Sequence, residues 1–324
     1  MSKAGIIVLI LIFSYSFFKC ASPQFEKKRV VYINSYHRGH PSSDEIMDSV
    51  VDHFPSDSFN LKSYYMDTKR NPTTDYIQSI STQLTDTILL FDPDILIVSD
   101  DNAVKYIVQP NIDRLSMPVV FCGVNGSDKE YDLPPEKVTG MIEILPVEEA
   151  VKALQGYYPE MRKMLVLTEN TTTSRKEQLM LDTLMSALGL SVSHTLADDF
   201  DEWKVAFKEA NENEDLIYIV THGAIRQWDH EAAVGFVHEN TKVPVFTCED
   251  FMMPYVVFGM TKVASEQGVW ASETAKKILK GKSPGDFPVT RNQLSKGWLN
   301  RHLAEKIGFY PDSLLLNTLE IIDN

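Results

Sequence analysis

The chain has 324 residues, 45 acidic and 31 basic side chains, a formal charge of −14 and a hydrophobic fraction of 44%. That apolar content excludes a wholly disordered chain, and the length predicts roughly two domains. The acidic balance, with no dense Lys/Arg run, excludes nucleic acid and an anionic membrane surface as partners, because phosphate contacts need clustered positive charge.

Residues 1–20 (MSKAGIIVLILIFSYSFFKC) place one cation, Lys3, before an apolar run from Ala4 to Phe13 that continues to Phe18. A run of about 15 is short for a membrane span of about 20 and suits a signal segment. An uncleaved membrane anchor is the competing reading. The mature chain is expected in the periplasm or another extracytoplasmic space, either soluble or lipid-anchored. Cys20 directly after the run is the lipidation candidate, although Phe18 and Lys19 stand where a lipobox has small residues.

From Arg29 onward, short apolar runs alternate with amphipathic stretches. Strands are predicted at 30–34 (VVYIN), 61–66, 94–98 (DILIV) and 118–124 (PVVFCGV), with helices at 43–54, 73–91 and 102–108. A second series follows the loop at 127–137. Its strands fall at 138–143, 164–168 (MLVLT), 192–196, 216–221 (LIYIVT) and 243–247, and its helices at 146–157, 174–188, 200–211 and 230–238. A further strand at 256–261, a helix at 267–279, a turn-rich connection at 280–288 and a helix at 299–307 complete the chain. Apolar runs without alternation indicate strands covered on both faces. The prediction is an α/β protein with two doubly wound parallel-sheet lobes, and ligands of such sheets bind beyond the carboxyl ends of the strands.

That rule nominates loops. Residues 34–41 (NSYHRGHP) hold Tyr36 and His37 after a buried strand. They suit ligand contact, or an ordinary solvated loop. His37 and His40 have metal spacing but no third ligand nearby. Residues 99–103 (SDDNA) combine Ser99, Asp100, Asp101 and Asn102, which suit an amine-bearing polar ligand or equally an N-cap cluster. Asn125 ends the fourth strand, and Glu143 ends the TGMIE stretch. In the second lobe the matching positions are 169–173, 221–225 (THGAI) and 248–251 (CEDF), where Glu249 and Asp250 can pair with an ammonium or cap the next segment.

No catalytic set emerges. CxxC, HExxH, GxGxxG, GxxxxGK[ST] and G-x-S-x-G are all absent, so no cofactor or metal is expected. Cys122 and Cys248 each follow an apolar strand and read as small buried groups, with a disulfide between them as the alternative in an exported protein.

Several pieces in order resemble the periplasmic substrate-binding proteins of ABC transporters, with the type I periplasmic-binding fold. They are VVYINSYHRGHPSSDEI, FDPDILIVSDDNAVKYI, MPVVFCGVN with VTGMIE, VPVFTCEDF, GVWASETAKKILKGKSPGDFPV and LNRHLAEKIGFYPDSLL, together spanning most of residues 29–320. Residues 263–267 (VASEQ) depart from the glycine-rich run of relatives. The NSYHRGH opening is also similar to extracytoplasmic sensor regions.

The resemblance implies a lobe of residues 28–142 plus 255–284 and a lobe of 143–254 plus 285–324, with crossovers near 142–145, 248–254 and 283–289. It implies a small solute held between them by hinge closure, an amino-acid-like and possibly aromatic one. Tyr36, Ser99, Asp101, Asn102 and Asn125 would face it from one lobe. Glu169, His222 and Glu249 would face it from the other, with Tyr36 and Phe251 as an aromatic wall. It also implies a monomer that delivers solute to an ABC permease. A sensory module for a membrane signalling partner and an exported α/β enzyme are the alternatives.

Overall fold

A computed structural model describes residues 26–323. The signal segment and Cys20 lie outside the described residues. The first series runs β1 (Lys28–Asn34), α1 (Pro41–His53), β2 (Phe59–Tyr65), α2 (Thr74–Phe91), β3 (Ile95–Ser99), α3 (Asp100–Ala103), β4 (Val119–Asn125) and β5 (Val138–Glu143). The second runs α4 (Val147–Gln155), β6 (Lys163–Glu169), α5 (Thr172–Ala187), β7 (Ser191–Ala197), α6 (Phe200–Asn213), β8 (Leu216–Ile219), α7 (His230–Asn240), β9 (Val245–Thr247) and β10 (Phe258–Lys262). Then come α8 (Ala264–Leu279), β11 (Thr290–Arg291), β12 (Ser295–Asn300), α9 (Arg301–Ile307), α10 (Ser313–Leu316) and β13 (Leu319–Ile322).

Two sheets result. The first has the order β11-β5-β4-β3-β1-β2 and every pair in it is parallel. The second has the order β13-β12-β10-β9-β8-β6-β7, and only β10 and β12 pair antiparallel. Strands such as β3 (ILIVS) are buried along their whole length, because helices cover both faces. Val31, Ile33, Leu96 and Val98 pack to one side of the first sheet; Val30, Tyr32, Ile95 and Ile97 pack to the other, against α1 and α8. The second lobe closes around Trp203, Phe207, Tyr218 and Phe246, the last two stacked at 4.6 Å.

The chain changes sheets three times. The first change runs from Glu143 into α4. Residues 258–262, expected in the first lobe, belong to the second sheet: Phe258 and Gly259 pair with Phe246 and Thr247 of β9. On its other edge β10 pairs with β12, a strand too polar in sequence (SKGWLN) to be predicted. The second change therefore falls after Lys262, where α8 returns to the first lobe. The third follows Arg291, because β11 still pairs with β5. The first and third segments are tied together: the Asn292 amide accepts from Ile144 N at 2.8 Å and donates to Ile144 O at 3.1 Å. Glu266 of α8 joins them, accepting from the amides of Gln293 and Leu294.

Cys122 and Cys248 are both free and buried, one in the core of each lobe, and burial raises both thiols. Separation into two cores removes the disulfide alternative. No helix among the described residues is long and apolar enough to cross a membrane.

Candidate functional site

The carboxyl ends of β1, β3, β4 and β5 face those of β6, β8, β9 and β10 across a cleft. The cleft encloses a cavity of about 360 Å³. That lies within the ~300–1,000 Å³ of small-molecule sites.

The floor is built at the strand ends of the first lobe. Asn34 closes a local turn, its Oδ1 accepting from Tyr36 N at 2.8 Å and Ser43 Oγ at 2.7 Å. This aims Tyr36 into the cavity. Ser35 Oγ donates to Ser99 O and accepts from Ala103 N, fixing the start of α3 to β1. Asp100 sits there in the left-handed region, at φ +68°, beside Gly123 at φ +67°. The β4–β5 register shifts between Phe121 and Val124, a bulge of the kind found beside functional sites. A Cβ on Gly123 would lie 3.2 Å from Asp100 Oδ1, so the glycine makes room for that carboxylate. Gly123 N in turn donates to Gln267 Oε1 at 3.0 Å, a role for the VASEQ segment that a glycine run would not fill.

Asp101 is already engaged. It accepts from Asn125 Nδ2 at 2.9 Å and Tyr131 Oη at 2.5 Å, and pairs with Lys176 of α5 at 3.5 Å. Lys176 also pairs with Glu130 at 2.9 Å. Asn102 donates to Thr68 Oγ1 at 2.8 Å.

Further polar contacts cross between the lobes. Lys69 of the first lobe meets Glu169 of the second at 3.0 Å. Ser42 Oγ donates to Glu249 Oε2 at 3.0 Å. Lys262 lies between Glu143, at 2.6 Å, and Glu249, at 2.8 Å. Burial alone would lower Lys262, but the two carboxylates outweigh it and hold the ammonium well above its usual range.

Two carboxylates lack such partners. Asp100 is buried and its Oδ2 has no hydrogen-bond partner. Burial, then the Glu143 charge, push it up to about 8. Glu177, on α5, lines the cavity from the opposite side, and burial followed by Glu143 raises it to about 7.

Of the residues nominated by sequence, Tyr36, Asp100, Asp101, Asn102, Asn125, Glu143, Glu169 and Glu249 line the cavity. The others do not. His37 turns toward Asp67, 3.6 Å away, and His40 takes the place beside Tyr36, with ring centroids 4.9 Å apart. Burial and the neighbouring Lys69 push His40 down to about 2, so it is neutral. Ser99 is spent on Tyr32, whose hydroxyl it accepts at 2.9 Å. His222 stacks on Trp228 at 4.4 Å, in the second lobe's own packing. Phe251 stands behind His40 and His222, at 6.0 and 6.2 Å. Asp250 accepts from Phe251 N at 2.7 Å, a bond to its own neighbour, and the short helix at 250–255 has no side-chain cap. The lysines Lys69, Lys176 and Lys262 and the acid Glu177 were missed. Only the position of Lys262, at the end of an apolar strand, carried a signal. Among the described residues no three His, Cys, Asp or Glu side chains are grouped to hold a metal.

A family model described as ABC transporter substrate binding protein matches residues 39–322. No curated protein sequence matches the chain significantly. Among solved structures, an ABC domain from Streptococcus pneumonia in complex with L-Trp is similar with a TM-score of 0.69 at 15% identity, over 92% of this chain and 100% of that one. A substrate binding protein with adhesive properties from Clostridium difficile, in a ligand-free, open form, gives 0.66 at 16%, over 91% and 99%. A carbohydrate transporter from Acidothermus cellulolyticus, in complex with myo-inositol, gives 0.59 at 11%, over 88% and 98%. At these identities the structural likeness establishes the type I periplasmic-binding fold.

Proposed function

The chain belongs to the ABC transporter substrate-binding protein family, and on that premise we propose that it captures a small polar organic solute outside the cytoplasm and delivers it to an ABC permease. The observation that carries this reading is the cavity between the lobes, lined by both and closed over by the Lys69–Glu169 and Lys176–Asp101 pairs. A cavity lined from both lobes couples solute binding to the hinge position. The three sheet changes lie at one end of the cleft and are cross-tied by Asn292 and Glu266, which lets the lobes rotate without separating. Cationic side chains that close on carboxylates of the facing lobe favour the closed form, which a permease can distinguish from the open one.

The chain acts as a monomer in this reading, because one chain supplies both walls. Most acids of the cleft are committed to lysines, which favours binding over turnover. Thermal-shift screening of amino acids, amines, sugars and peptides against the purified protein tests the proposal. A ligand that binds only the folded state raises the melting temperature, by about 2.7 kcal/mol of stability at 100-fold excess over Kd. A well-folded protein whose melting no small solute moves would overturn solute capture. Product formation from a stabilising solute would overturn the transport reading in favour of an enzyme.

A further inference from the structure

The cavity is not balanced in charge. Three lysines are fully committed inside it: Lys69 to Glu169, Lys176 to Asp101 and Glu130, and Lys262 to Glu143 and Glu249. Lys105 lies exposed at the rim, 5.3 Å above the Tyr106 ring. Asp100 and Glu177 remain, with no cation paired to either among the described residues. Asp100 is 8% exposed and its Oδ2 is orphaned. No arginine lines the cavity among the described residues, so nothing inside offers a bidentate seat for a ligand carboxylate.

A buried carboxylate without a partner is costly when ionised; it becomes neutral or acquires a cation. The fold has gone out of its way to keep Asp100 there, in a left-handed backbone conformation beside a glycine that leaves space for it. A cavity of this charge penalises an anion and leaves a net-neutral zwitterion without compensation for its carboxylate.

We propose that the occupant is an organic cation with more ammonium than carboxylate groups, a diamine or a basic amino acid, whose positive ends are received by Asp100 from the first lobe and Glu177 from the second. This rests on the solute-capture reading and names its substrate class. It also gives each lobe one end of the ligand, so that a ligand too short to span them binds one lobe without closing the cleft.

Titration calorimetry and thermal shift on the full mature chain test it, with 1,4-diaminobutane, L-lysine and L-arginine set against L-tryptophan, L-glutamate and myo-inositol. At least one cationic probe should bind more tightly than every neutral or acidic one. Asp100→Asn and Glu177→Gln should each weaken that binding at least tenfold, while the ligand-free variants melt no lower than the parent. A neutral probe that binds more tightly than all the cations, with affinity unmoved by Asp100→Asn, would overturn the charge assignment and leave solute capture standing. Absence of binding by every class would overturn both.

Discussion

Lys69 and Glu169 meet at 3.0 Å across the cleft with side chains only 11% and 3% exposed, so each lobe places one member of a buried ion pair in the space between them. Glu169 Oε2 also accepts from Ala224 N at 2.6 Å. Burial raises this carboxyl, and Lys69 and the Ala224 amide overcome it, so Glu169 lies below its ordinary value. Removing one partner of such a pair costs about 3–5 kcal/mol, because the other charge stays buried alone. Opening the cleft rehydrates it. Lys69→Met should therefore shift the ligand-free protein toward an open form, read as a larger radius of gyration in X-ray scattering. An unchanged scattering profile would remove the pair from the closing machinery.

Lys262 occupies a different position, at the edge of the cleft where the chain leaves β10 for α8. It holds Glu143 and Glu249 together, one from each lobe. Lys262→Met leaves two buried carboxylates facing each other, and urea unfolding should show a loss of about 3–5 kcal/mol. The triple variant with Glu143→Gln and Glu249→Gln should recover most of it. Equal losses in the single and triple variants would mean that Lys262 acts through packing of its stem instead.

Stability should depend on pH in the opposite sense to that of a salt-bridged acid. Asp100 is raised to about 8 and Glu177 to about 7, so between the ordinary carboxylate range and those values the folded protein holds protons that the unfolded chain has released. Folding stability from these two groups is fully present below the ordinary carboxylate range and is lost progressively as pH rises from there to about 7 for Glu177 and about 8 for Asp100. Glu169, depressed, acts the other way, and its contribution is lost as pH falls below its unfolded value near 4.5. The ligand-free protein should thus lose melting temperature between about pH 5 and pH 8 and level off above, and Asp100→Asn should flatten that slope. A bound cation should flatten it too, since it compensates the charge that ionisation creates. A slope unaffected by Asp100→Asn would assign the titration elsewhere.

The two-lobe α/β fold was legible because parallel strands covered on both faces must be apolar throughout, as in VVYIN and DILIV. The strand-end rule then found eight of the residues that line the cavity, from Tyr36 to Glu249. What failed was anything set by side-chain direction. His37 and His40 are three apart with the same chemistry, and only the turn closed by Asn34 decides which one meets Tyr36. Lys69 and Lys176 lie in a loop and on a helix, and they become cleft residues only through partners in the other lobe. The sheet change after Lys262 was hidden for a related reason: β12, which pairs with the far edge of β10, is polar and was not predicted.

Two helical glycines separate packing from propensity. Gly268 lies in α8 where it crosses α1, and a Cβ there would stand 2.5 Å from Ile46 O and 2.8 Å from Ser49 Cβ. Neither atom is the end of a flexible side chain, so the helices must move apart, at a cost of about 1–3 kcal/mol. Alanine returns up to about 1 kcal/mol of helix propensity, which does not offset the larger value. Gly268→Ala should therefore destabilise the first lobe. Gly235 lies within α7, and a Cβ there meets nothing within 4 Å. With no clash to oppose it, Gly235→Ala should stabilise by about 0.5–1 kcal/mol. Urea unfolding of the two variants checks both signs at once. If Gly268→Ala were as stable as Gly235→Ala, the close approach of α1 and α8 would not be what holds residue 268 as glycine.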